Sequence, residues 1–153
     1  MVDEVRTVGI LALQGDFEKH QKVIESLGHR PILVRTREQL ELCDGLIIPG
    51  GESTTLTKLM KKHNMWDIVS DYAQKKPVYG TCAGCILVAD SIDNMEQDSL
   101  KLIDIAVQRN AYGRQVDSFI DDIKVQLGGK ADTMEGVFIR APKIASMGSG
   151  VTP

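Results

Sequence analysis

The chain has 153 residues, 42% of them apolar and 25% charged, with a formal net charge of −3 and a pI near 5.6. This length suits one domain with a real core, and the weakly acidic balance gives no support to a nucleic-acid or anionic-membrane partner. Its apolar runs fall far short of the ~20 residues of a membrane span, its first residues do not read as a signal peptide, and three unevenly spaced cysteines make no secreted disulfide framework, so a cytoplasmic location is expected.

Residues 7–13 are apolar on both faces and are predicted as a buried strand. Phe17, Val23, Ile24 and Leu27 then recur at helical spacing, and Gly28 suits the position just past a helix end. Ile32-Leu33-Val34 is a second strand; Leu46-Ile47-Ile48 is a third, stopped by Pro49-Gly50-Gly51. Ser53 is expected to cap the next helix, which carries Leu56, Leu59 and Met60 on one face. Trp66, Val69, Tyr72 and Ala73 mark a further helix, and Pro77-Val78-Tyr79 a fourth strand.

This alternation predicts an α/β fold: three layers, with a mostly parallel central sheet and helices on both faces. Ligands of such sheets gather at the carboxyl ends of the strands. Gln14-Gly15, the segment from Pro49 to Ser53, and Gly80-Thr81-Cys82 should therefore meet at one edge. After Asp90 the pattern changes. Strands are expected around Leu102, Ile103, Ile105 and Val107, around Phe119, Ile123, Val125 and Leu127, and over Gly136-Val137-Phe138-Ile139, partly antiparallel and appended to the core. No repeat or linker divides the chain, which reads as one domain over residues 1–153.

Cys82-Ala83-Gly84-Cys85 admits several chemistries. As a redox pair it would place a thiolate at a helix start and a second thiol one turn on. Cys85, however, opens the run Cys-Ile-Leu-Val-Ala and reads as a small apolar residue in a buried helix. A zinc site needs compactly spaced ligands; Cys43, His20, His29 and His63 are scattered, so no metal and no cofactor is expected. The nucleophile reading explains more. Gly80-Thr81-Cys82-Ala83-Gly84 has the G-x-nucleophile-x-G form of a sharp strand-to-helix turn. The Ala83 N–H and the backbone at Gly50 or Gly51 are candidate oxyanion donors.

Together, the segments GILALQGD (9–16), LIIPGGESTT (46–55), GTCAG (80–84), QRNAYGRQVDSF (108–119) and GVFIRAP (136–142) resemble the glutaminase-subunit family of pyridoxal 5'-phosphate synthase, within the class I, triad-type glutamine amidotransferases. The resemblance implies a flavodoxin-like fold of that class. It implies that Cys82 attacks the side-chain amide of L-glutamine, and that Gly51, Glu52, Ser53, Arg109, Ile139 and Arg140 line the glutamine site. An arginine suits the α-carboxylate, and Glu52 or a backbone carbonyl suits the α-ammonium. It further implies a separate synthase subunit as partner, which takes the ammonia to build pyridoxal 5'-phosphate, with Gln14 and Asp16 contributing to that contact.

In one respect the sequence departs from the family. The family carries its catalytic histidine and glutamate in a later His-Pro-Glu segment, whereas His20, His29 and His63 all precede Cys82 and read as surface or helix-end residues. The domain is therefore expected to be C-terminally incomplete, and this 153-residue form to be inactive without that histidine and glutamate. Two alternatives follow: a non-catalytic glutamine- or synthase-binding module, and a redox protein or other cysteine hydrolase of similar fold.

Overall fold

A computed structural model describes residues 4–93, 95–109 and 118–153. Strand β1 (Thr7–Leu11) pairs in parallel with β2 (Arg30–Val34) on one side and β3 (Gly45–Ile48) on the other; β4 (Val78–Gly80) then adds beside β3. The order β2-β1-β3-β4 is wholly parallel. Parallel neighbours need crossovers, and helices supply them: α1 (Phe17–Ser26), α2 (Arg37–Glu41), and α3 (Ser53–Lys62) with α4 (Met65–Ala73). Helix α5 (Ala83–Val88) follows β4 directly.

The core explains why these segments fold as they do. Leu11, Val34, Leu46 and Ile48 from the strands pack with Leu56 and Met60 of α3, Met65 and Val69 of α4, and Leu87 of α5. Each of these side chains is at most 2% exposed, and such burial is worth about 1.5–3 kcal/mol apiece. The one-turn spacing of Leu56 and Met60 turns both toward the sheet.

The later strands form two smaller sheets. β5 (Ala89–Ile92) runs parallel to β6 (Ile103–Gln108), and β9 (Lys143–Met147) returns antiparallel to β6. Ile86, Ala89, Ile105 and Val107 make a second small core beneath them. β7 (Phe119–Leu127) and β8 (Lys130–Phe138) form an antiparallel hairpin.

The parallel sheet, its flanking helices and the antiparallel additions match the sequence reading; several details do not. The first strand ends at Leu11, and Ala12 already donates its N–H to Val34 outside the ladder. Helix α2, β5 and β9 were not anticipated, because each is four or five residues long and shows too little periodicity. α2 starts instead on a capping box between Thr36 and Gln39. On α1, Val23 and Leu27 are exposed, while Phe17, His20, Gln21 and Ile24 turn inward. The cap of α3 is Glu52, not Ser53: its carboxylate accepts from the N–H groups of Thr54 and Thr55.

Candidate active site

In the order β2-β1-β3-β4 the chain moves outward from β1 in both directions, so the carboxyl ends of β1 and β3 bracket a topological switch point. Backbone hydrogen bonds join the loops there. Asp16, beyond β1, donates its N–H to the Gly50 carbonyl (3.3 Å), and Thr81, beyond β4, donates to the carbonyl of Ile48 at the end of β3 (3.1 Å). The Gln14 amide oxygen accepts from the Glu52 N–H at 3.1 Å, while its amide nitrogen is buried without a partner among the described residues. The three segments expected to converge do so.

At their centre is Cys82. Its backbone has φ 49° and ψ −105°, and its side chain is exposed. A non-glycine residue in such a conformation costs on the order of 1–3 kcal/mol and persists only where its surroundings over-determine it. Here Gly84 donates to the Thr81 carbonyl (2.8 Å) and Ile86 to the Cys82 carbonyl (3.1 Å), closing the first turn of α5. The turn is pressed against β3: a Cβ on Gly84 would stand 2.1 Å from the Ile48 carbonyl oxygen. Ala83 is buried at the start of α5, and a Cβ on Gly50 would lie 3.3 Å from the Cys82 Cβ. Of the oxyanion candidates, Ala83 and Gly50 thus lie beside Cys82. The Gly50 carbonyl is committed to Asp16, and in a planar trans peptide the Gly51 N–H points the opposite way.

Glu52 binds at both ends. Its carboxylate accepts from the hydroxyls and N–H groups of Thr54 and Thr55 and forms an ion pair with Arg109, which follows β6 directly. Burial pushes its pKa up, but the hydrogen bonds from Thr54 and Thr55 outweigh it and bring the value from an ordinary 4.5 to about 2. Arg109 also donates to the Met95 sulfur at 3.2 Å. Ser53, buried, donates its hydroxyl to the Gln97 side-chain oxygen at 2.9 Å, and Gln97 in turn reaches Thr57. Ile139 and Arg140 follow β8 and are exposed, Arg140 with φ 47°; no hydrogen bond or ion pair among the described residues joins either to Cys82 or Glu52. The stretch 110–117, most of one family-like segment, lies outside the described residues.

Residues 10–152 match the SNO glutamine amidotransferase family. The chain belongs to that family. It is 47% identical to the pyridoxal 5'-phosphate synthase subunit PdxT of Solibacter usitatus over 96% of its own length and 79% of the relative's. The corresponding protein of Fervidobacterium nodosum is 49% identical, over 94% of this chain and 75% of that one. A solved glutamine amidotransferase structure at 43% identity superimposes with a TM-score of 0.84, covering 94% of this chain and 76% of that one.

Within a glutamine amidotransferase, Cys85 does not suit a redox partnership. It is half-buried in α5, and desolvation, with the neighbouring Cys82, raises its thiol pKa. Among the described residues no cluster of three or more potential ligands could hold a metal ion, and no helix is long and apolar enough to cross a membrane. Sequence reasoning missed two residues beside the candidate site, Gln97 at Ser53 and His20 at Thr81. Gln97 sits in a polar stretch without periodicity, and nothing in the pattern marks it. His20 did carry a signal: it shares the inward stripe of α1 with Phe17 and Ile24. It is no ordinary surface histidine, since its Nε2 stands 3.4 Å from the Thr81 hydroxyl.

Proposed function

We propose that the chain hydrolyses L-glutamine to glutamate and ammonia through a thioester on Cys82, supplying ammonia to a pyridoxal 5'-phosphate synthase subunit in a cytoplasmic hetero-oligomer. The Cys82 sulfur attacks the side-chain amide carbon, and the carbonyl oxygen becomes an oxyanion facing the Ala83 N–H and the backbone at Gly50 and Gly51. Collapse expels the amide nitrogen, which takes the proton given up by the Cys82 thiol and leaves as ammonia, giving a γ-glutamyl thioester. Water then attacks the thioester carbon, releasing glutamate and restoring the thiol. A thioester needs a nucleophile held clear of the sheet, and the exposed, left-handed Cys82 is the observation that carries the reading.

Glu52 and Arg109 set an anion beside a cation, the complement of an amino acid's ammonium and carboxylate. Gly51 and Ser53 flank Glu52 and complete that wall, and Ile139 and Arg140 contribute from the end of β8. Gln14 and Asp16 border the wall on the β1 side, where a synthase subunit would meet it. The synthase is inferred from the relatives, which are pyridoxal 5'-phosphate synthase subunits.

The test mixes the chain with glutamine and a pyridoxal 5'-phosphate synthase subunit, following glutamate release, and separately treats it with the diazoketone analogue of glutamine, mapping the adduct. Stoichiometric labelling of Cys82, blocked by glutamine, is expected. An unlabelled Cys82 would overturn the assignment.

A further inference from the structure

We propose that His20 is a positioning residue for the nucleophile, acting through the hydroxyl of Thr81. The inference rests on the reading of Cys82 as the nucleophile. Thr81 immediately precedes Cys82, and its backbone is held twice: its N–H by the Ile48 carbonyl of β3, its carbonyl by the Gly84 N–H of α5. These bonds fix Thr81 to the sheet and to the helix that follows. The third attachment comes from another element, with His20 Nε2 of α1 at 3.4 Å from Thr81 Oγ1. Burial lowers the pKa of His20 despite the nearby Asp16 carboxylate, so near neutral pH the imidazole is uncharged and can share one proton with a hydroxyl.

The geometry of α1 makes this contact more than a local hydrogen bond. One turn before His20, Asp16 donates its N–H to the Gly50 carbonyl, and a Cβ on Gly50 would stand 3.3 Å from the Cys82 Cβ. The N-terminal turn of α1 therefore touches both walls of the nucleophile's surroundings: the Gly50 loop through Asp16, and the elbow through His20. A strained residue such as Cys82 settles where its neighbours force it. The distance between its sulfur and the oxyanion donors is consequently set by how these two walls are spaced, and α1 is the spacer. Misplacement of reacting groups by an ångström lowers a rate without weakening binding. His20 touches neither glutamine nor the sulfur in this scheme; it acts on the chemical step through Thr81.

The experiment follows inactivation of the whole chain by the diazoketone analogue of glutamine, separating the maximal inactivation rate from the half-saturating concentration, with thermal unfolding measured alongside. His20→Ala is expected to lower the maximal rate roughly fivefold, the size of one net hydrogen bond, at an unchanged half-saturating concentration. Thr81→Val should lower it equally, and the double variant no further, since both remove one interaction. His20→Gln, whose amide reaches the place of Nε2, should recover most of the rate. A wild-type chain that the analogue does not label would refute the nucleophile itself. Normal labelling with an undiminished rate in His20→Ala, or losses that multiply in the double variant, would overturn the role of His20 alone. A fall in melting temperature with an unchanged rate would likewise make His20 merely structural.

Discussion

Arg109 at the end of β6 grips the carboxylate of Glu52 at the head of α3, joining the smaller sheet to the main one across the mouth of the site. The pair is unevenly covered, with the Arg109 side chain 21% exposed and that of Glu52 44%. A guanidinium so held offers a fixed fork to a carboxylate, which an ammonium on a flexible stem does not. Arg109→Lys is therefore expected to raise the half-saturating glutamine concentration about tenfold, the loss of one charge-assisted bond of about 1.4 kcal/mol. Competition between glutamine and the diazoketone analogue measures it.

The depressed pKa of Glu52 fixes the direction of an acid effect. Because the folded value, about 2, lies below the ordinary 4.5, the carboxylate stabilises the fold at every pH above 4.5, and this contribution is lost as pH falls from 4.5 toward 2. With nearly half of the side chain exposed, solvent screening reduces it to on the order of 1 kcal/mol. Melting temperatures recorded from pH 7 down to pH 2 should fall more steeply for the native chain than for Glu52→Gln, which has nothing to titrate there.

Cys82 holds a strained backbone at the proposed site of chemistry. Glycine accepts a positive φ without strain, so Cys82→Gly should relieve about 1 kcal/mol and raise the melting temperature by roughly 2–4 °C while abolishing labelling and glutamate release. An unstable Cys82→Gly variant would show that the elbow is not strained.

Gly84 has the opposite character. A methyl group there would press on the Ile48 carbonyl oxygen, so Gly84→Ala must push α5 away from β3. Overpacking of this kind costs about 3 kcal/mol, a fall of roughly 6–12 °C in melting temperature for a chain of this size. Labelling of Cys82 should drop with it, since α5 carries the elbow.

Much of this was legible in the sequence because periodicity and chain order carry it. The four parallel strands announce themselves as apolar runs, and once they are parallel, Gln14, Gly50 and Cys82 must fall at one edge. The lone elbow pattern becomes specific through its place after β4 and before the buried Ile86 and Leu87. What escaped was set by side-chain direction and long-range pairing. That Glu52 and not Ser53 caps α3 depends on where two neighbouring side chains turn, and Ser53 turns inward to Gln97, 44 residues away in sequence. His20 was misjudged by its residue type when its helical position already placed it inward. Short elements such as β9, exposed along its whole length, have too little apolar patterning to be seen at all.

Helix α1 buries none of its ten residues fully, although its cap and first turn reach Gly50 and Thr81, both next to Cys82. Few buried contacts mean a small free energy for local opening. Its amide protons should therefore exchange with solvent by excursions far smaller than global unfolding, well ahead of those of β1 and β3. Under the proposed role of Cys82, the alignment of its sulfur would then be only as persistent as the closed state of this one helix, and any molecule resting on the exposed Val23 of α1 and the Leu27 that caps it would lengthen that state's lifetime.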